Sequence, residues 1–194
     1  ILLIDKLGFE SFTFKKLATK INSTESSIYR YFESKYSLLL YLYCWYWSWI
    51  EYKLVFGTIN TDSAIVRLQT AIKIICSPIE IDKDISHINE VILKKIIISE
   101  SIKVTHTKIV DEENEKGHFK VYKRIIRRIS EIIKEINPEY SYPHMLVFSL
   151  IDGVIEQSFF SSHLSGVIEM KDQYDTCLIE FYTDLIFKAI EIKN

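Results

Sequence analysis

Apolar residues recur at helical intervals through nearly the whole chain, which predicts helices almost everywhere and strands nowhere. Ile1, Leu3, Ile4 and Leu7 form a first stripe, and Gly8 ends it because glycine accepts the positive φ of a helix stop. Phe14, Leu17, Ala18 and Ile21 form a second, short stripe, with Thr13 placed to cap it through its hydroxyl. Asn22-Ser23 breaks the period, and Asn tolerates the left-handed conformation that a helix end needs. Thr24 is the next cap, and Glu25 complements the positive end of the helix dipole. Ile28 and Phe32 then bury a third helix, Glu25–Phe32, against the second, leaving Ser26, Tyr29 and Arg30 outward. Two short helices joined by a tight turn make a helix-turn-helix. Its second helix is polar on one side and short enough to enter a DNA major groove.

Further on the helices lengthen. Ser34 caps a fourth that runs to Phe56 and stops at Gly57. Leu38, Leu42, Trp45, Trp49, Tyr52 and Phe56 make one of its faces, and Leu39, Tyr43, Tyr46 and Ile50 another. A helix apolar nearly all round must be surrounded. Thr61-Asp62 opens a fifth helix with Ile65, Leu68, Ile72 and Ile75 as its stripe, and Ser77-Pro78 ends it. A sixth covers about 85–102, and the polar stretch 103–117 is a loop or a short frayed helix. The seventh, about 118–136, has a seam of Phe119, Tyr122, Ile126, Ile129, Ile133 and Ile136. Lys120, Lys123, Arg124, Arg127 and Arg128 cover its other side, read as a solvated face with ion pairs or as a second nucleic-acid patch. Asn137-Pro138 ends it, and Pro143 opens the eighth, about 144–164, at a favoured position. Gly153 inside that helix implies the close approach of another helix. The ninth is about 172–192.

Composition sharpens this picture. Only five Gly and three Pro punctuate 194 residues that are 48% hydrophobic, which favours long helices around a sizeable core. The formal charge is −2, but residues 1–60 hold seven Lys and Arg against five Asp and Glu. Lys15, Lys16, Arg30 and Lys35 all fall on the helix-turn-helix, where a DNA reader needs local cations; a solvated helical face gives the same pattern. No apolar run suits a membrane span and no signal peptide is visible, so a cytoplasmic protein is expected. Cys44, Cys76 and Cys177 lack CxxC spacing and read as free thiols. The five His show no ligand spacing; His163, Glu156 and Asp152 share a helical face but need a fourth group, so no metal is expected. There is no GxSxG and no phosphate loop, so neither an enzyme nor a cofactor is expected.

The string Gly8-Phe9, Leu17-Ala18, Thr24, Ile28-Tyr29, Phe32, Ser34-Lys35 and Leu38-Leu39 resembles the DNA-binding domain of the TetR family of bacterial transcriptional regulators. The spacing Tyr-x-x-Phe-x-Ser-Lys is its specific part, and the resemblance spans Ile4 to Leu39. It implies an all-α fold: a three-helix DNA-binding domain over 1–33, then a larger ligand-binding and dimerisation domain over 34–194. In such a family a basic segment precedes the first helix, which is expected to begin before Ile1. The resemblance also implies a homodimeric repressor on a palindromic double-stranded operator, released by a small molecule.

The resemblance places Thr13, Lys15 and Lys35 at phosphates and Tyr29 at phosphate or sugar. Thr24 opens the recognition helix, and Glu25, Ser26, Ser27, Arg30 and Tyr31 stand where the family meets base edges or adjacent phosphates. Glu25 either accepts from cytosine or stabilises the helix start. Asn22 stands where the family's turn usually has Gly, and Ile21 where Ala precedes it. An apolar or aromatic ligand would meet Trp45, Trp49, Tyr52, Phe56, Tyr122 and Phe148, although ordinary core packing accounts for any one of them. Ser149, Gly153, Glu156, Phe160, Phe181 and Leu185 would face a second copy. Two other readings fit the composition: a helical regulator controlled by a protein partner without a small-molecule pocket, and a helical lipid-handling enzyme.

Overall fold

The computed structural model describes residues 1–78, 89–164, 166–168 and 174–191. Among them all regular structure is helical. The elements are α1 (Leu2–Leu7), α2 (Phe14–Lys20), α3 (Glu25–Tyr29), α4 (Lys35–Thr58), α5 (Ala64–Cys76), α6 (Glu90–Glu100), α7 (Ile102–Thr105), α8 (Val110–Glu115), α9 (Lys120–Ile136), α10 (Pro143–His163) and α11 (Tyr174–Ala189). The expected first turn of the sixth helix, with His87, and the expected ends of the ninth helix lie outside the described residues. The stretch after α6 is helical in two short pieces, α7 and α8.

The chain divides into two compact units. One takes the described residues of Ile1–Tyr46 and Ile79–Phe119, the other those of Trp47–Pro78 and Lys120–Asn194. This division differs from an expected break after residue 33, because α6, α7 and α8 return to the N-terminal helices. The boundary falls inside α4, between Tyr46 and Trp47.

In the first unit Ile4, Phe12, Phe14, Ala18 and Ile28 are buried, as are Leu93, Ile96 and Ile97 of α6, which packs against α1. Asp5 accepts from Lys95 at 2.6 Å, and Lys103 holds both Glu10 and Glu100. Near the start of α4, the buried Glu113 takes His118 Nδ1 at 2.6 Å and Lys116 at 3.1 Å. Cys44 donates to the His118 carbonyl at 3.2 Å, and burial, then Glu113, pushes its thiol up, so it stays protonated.

In the second unit α5 is the central helix. It packs against α9, α10 and α11, with Leu68, Ala71 and Ile72 fully enclosed. Its cap is Ser63, not the expected Thr61-Asp62, and Ile65 is exposed because the covered side centres on Leu68 and Ile72. Helix α4 does not stop at Gly57. It runs through to Thr58, whose hydroxyl folds back on the Leu54 carbonyl at 2.7 Å. Gly57 instead admits α5: a Cβ there would lie 3.0 Å from Ile74 Cδ1 and 3.3 Å from Thr70 Cγ2. The buried Asn137 after α9 donates to the Ile190 carbonyl at 3.0 Å and accepts from Glu139 N at 3.0 Å, joining that corner to the end of α11.

Candidate nucleic-acid interface and ligand groove

The recognition region is built from local signals. Thr13 Oγ1 accepts from Lys16 N at 3.2 Å and so caps α2. At the other end Asn22 stands at φ 52°, the single non-glycine residue with positive φ among those described. Ser23 N reaches the Ala18 carbonyl at 2.9 Å and Asn22 N the Thr19 carbonyl at 3.4 Å. That pair of hydrogen bonds is a Schellman closure with Asn at the left-handed position, so the turn forms without glycine. Thr24 Oγ1 then accepts from Ser27 N at 3.3 Å and opens α3.

Helix α3 is shorter than expected, ending at Tyr29 rather than Phe32. Ile28 is buried, whereas Phe32 is half-buried with its ring against Tyr41, centroids 5.5 Å apart. Glu25, Ser26, Tyr29, Arg30 and Tyr31 are exposed, Tyr31 at 82%. Tyr29 is 50% exposed because one edge of its ring rests on Phe14, centroids 5.0 Å apart, which fixes the direction of the outer half. The hydroxyls of Ser26 and Ser27 lie 3.0 and 2.8 Å from Thr24 Oγ1, so both serve the cap. Lys15 is exposed at the start of α2.

Lys35 differs from its expected placement. Its ammonium donates to the carbonyls of Phe9 at 2.7 Å and Glu10 at 3.1 Å and sits 4.8 Å from the centre of the Phe9 ring. It ties the start of α4 to the corner after α1 rather than pointing into solvent. Lys16 does likewise, donating to the Ser11 carbonyl at 2.7 Å. Below Lys35, Ser34 and Ser37 cap α4 reciprocally: Ser37 N meets Ser34 Oγ at 3.1 Å and Ser34 N meets Ser37 Oγ at 2.9 Å.

The second unit holds an open groove of about 800 Å³ between α9 and α10. Lys120, Lys123, Arg124 and Arg127 rim it, with His144, while Ile126, Met145 and Phe148 give it apolar surface. Of the six aromatic residues expected at a ligand, Phe148 alone is in this lining. Trp49 is buried, with the Lys53 ammonium 4.7 Å from its ring centre. Tyr122 packs on Trp47 at 4.8 Å, and Trp45 is half-buried. Tyr52 and Phe56 lie on the surface against each other, centroids 4.4 Å apart. The six therefore do not make one cavity. Near its end α4 is covered on its Leu54, Gly57 and Thr58 side, and Tyr52 and Phe56 look the other way.

The basic face of α9 is not simply solvated. Arg124 forks onto Glu51 at 2.7 and 2.5 Å, and these hydrogen bonds hold the Glu51 carboxyl below its usual range against the opposing effect of burial. Arg127 reaches Glu131 at 3.9 Å. No periodicity marks the groove, since it requires residues of two helices. The nearest signal was Met145 and Phe148 following Pro143 opposite a run of cations.

Of the residues expected to face a second copy, Ser149, Phe181 and Leu185 are exposed, and Glu156 and Phe160 are half-buried. Gly153 is used within the chain: a Cβ there would overlap the hydroxyl of the buried Tyr182 on α11. Among the described residues no group of His, Cys, Asp and Glu is placed to hold a metal. None of their helices is long and apolar enough to cross a membrane.

Residues 3–42 match the family model described as bacterial regulatory proteins, tetR family. Over that stretch the chain is similar to the DNA-binding domain of the TetR family. The match takes in α1, α2, α3 and the first turns of α4, the elements whose caps and turn are set out above. Beyond it, the chain is similar in fold to the crystal structure of AibR in complex with isovaleryl coenzyme A and operator DNA. The TM-score is 0.62 at 14% identity, over 95% of this chain and 92% of that one, a likeness of fold along nearly the full length. No curated protein sequence matches the chain.

Proposed function

We propose that this TetR-family protein is a cytoplasmic transcriptional repressor that binds a palindromic operator as a homodimer and is released by a small molecule. The observation that carries this reading is the outward, Phe14-braced half of Tyr29 on a short capped helix inside the family match. Lys15, Arg30 and Tyr31 extend that surface, while Thr13, Thr24, Ser26 and Ser27 hold its backbone. A short helix presented this way places side chains at base edges and its flanks at phosphates. The apolar residues exposed on α11, Phe181 and Leu185, support a symmetric interface between copies.

Release follows from population shift. A ligand bound by the second unit weakens operator binding only by its differential affinity for two conformers. Helix α4 belongs to both units, so a displacement of its second half is carried along its own axis to the Lys35 end. The similar AibR structure, solved with an acyl coenzyme A and operator DNA, supports a small-molecule-responsive reading.

A salt-titrated mobility-shift assay on duplexes selected from a random library tests the proposal. Wild type should enrich an inverted repeat. Tyr29→Ala should weaken its binding about tenfold with helicity unchanged, and Tyr29→Phe should lose less, since the ring and its seat on Phe14 remain. Enrichment of no duplex, or equal binding by Tyr29→Ala, would refute the reading.

A further inference from the structure

We propose that the groove between α9 and α10 binds an amphipathic anion, a carboxylate or phosphate monoester carried on a hydrocarbon body. This rests on reading the second unit as the ligand-sensing part. Its lining contains four Lys and Arg side chains and no Asp or Glu. Arg124 is held by Glu51 and Arg127 reaches Glu131. Lys120 has no acidic partner among the described residues, so the rim keeps an uncompensated positive potential. Inside that rim Met145 is 67% and Phe148 47% exposed, beside a half-buried Ile126.

The two halves of the lining ask for different things of one molecule. Lysines on flexible stems accept an anion from several directions, and the focused field of a concave basic rim selects for negative charge. Exposed Met and Phe gain only if an apolar group covers them, and Met adapts to irregular shapes. A duplex backbone satisfies the cations and leaves Met145 and Phe148 wet; a neutral hydrocarbon does the reverse. A volume of about 800 Å³ is in the range of sites for drug-sized ligands. Ser149 is not the discriminating group, because its hydroxyl donates to the Met145 carbonyl at 2.9 Å.

The test is titration calorimetry on the full chain with three probes of one length: decanoate, decyl phosphate and decanol. The anions should bind at least about tenfold more tightly than the alcohol, and added salt should narrow the gap. Lys120→Gln with Lys123→Gln should weaken both anions about tenfold and leave decanol unchanged. Phe148→Ala should weaken all three. Whichever anion binds more tightly identifies the head group. Equal binding of decanol and the anions, insensitivity to the double Lys substitution, or binding of no probe overturns the assignment. The same samples are run against the selected duplex: retained DNA binding with no probe binding sinks this inference alone, and loss of DNA binding in wild type sinks the regulator reading instead.

Discussion

Gly153→Ala isolates the contact between α10 and α11. Two effects oppose each other. Inside a helix Ala is favoured over Gly by about 1 kcal/mol. Against it, the new methyl would overlap Tyr182 Oη and lie 3.2 Å from its Cζ. Tyr182 is 3% exposed, so its ring has little room to swing away. Forcing extra volume into a packed site costs about 1–3 kcal/mol, and an overlap with a held aromatic belongs at the upper end. The net expectation is a loss of about 1–2 kcal/mol, or roughly 2–8 °C in Tm for a chain of this size. Gly57→Ala is the control. Its Cβ would meet the tip of Ile74 at 3.0 Å and Thr70 Cγ2 at 3.3 Å, side-chain ends that give slightly, so the helix-forming gain offsets the contact and Tm should move little. Thermal unfolding by far-UV circular dichroism reads both. Tyr182→Phe in the Gly153→Ala background should recover part of the loss, because the overlapping oxygen is gone, and a double-mutant cycle measures that coupling. A Gly153→Ala protein as stable as wild type would show that Tyr182 does not stand over Gly153.

Lys35→Ala should lower stability by about 1–2 kcal/mol in urea titration, since it removes charge-assisted hydrogen bonds to Phe9 and Glu10; unchanged stability would return Lys35 to a purely DNA-facing role. Asn22→Ala should cost about 1 kcal/mol, and Asn22→Gly nothing or a small gain, because only the first places a β-carbon without a polar side chain at φ 52°; equal Tm values for the two would contradict a left-handed turn. Glu51→Gln should remove about 1 kcal/mol at neutral pH. Because Arg124 depresses the Glu51 carboxyl, its stabilisation is present above the ordinary carboxylate range and lost as pH falls through the lowered value. The gap between wild type and Glu51→Gln should therefore close in acid, and a pH-independent gap counts against the pair.

The recognition region was legible in the sequence because its determinants are local. Thr13, Asn22 and Thr24 each act within five residues of themselves, where capping and turn preferences operate. Even Glu25 and Ile28 fall where the period puts them. Lys35 was not legible, since the carbonyls it holds lie 25 and 26 positions earlier. The side of α4 that Tyr52 and Phe56 occupy depends on where α5 arrives, which periodicity does not encode; Gly57 marked the arrival, and a helix stop was the other meaning of the same residue. Gly153 implied a close neighbour correctly, but only the packed chain names Tyr182. The cationic groove escaped because Met145 and Phe148 of its apolar lining come from a different helix than its cations.

The change from one unit to the other occurs within α4, at Tyr46–Trp47, and not in a loop. A loop forgives an added residue; a helix converts it to rotation. One insertion after Tyr46 would turn every later side chain of α4 by about 100°. Joining a different second unit at this point is therefore a matter of helix phase, and only joins that conserve whole turns keep the register of α4.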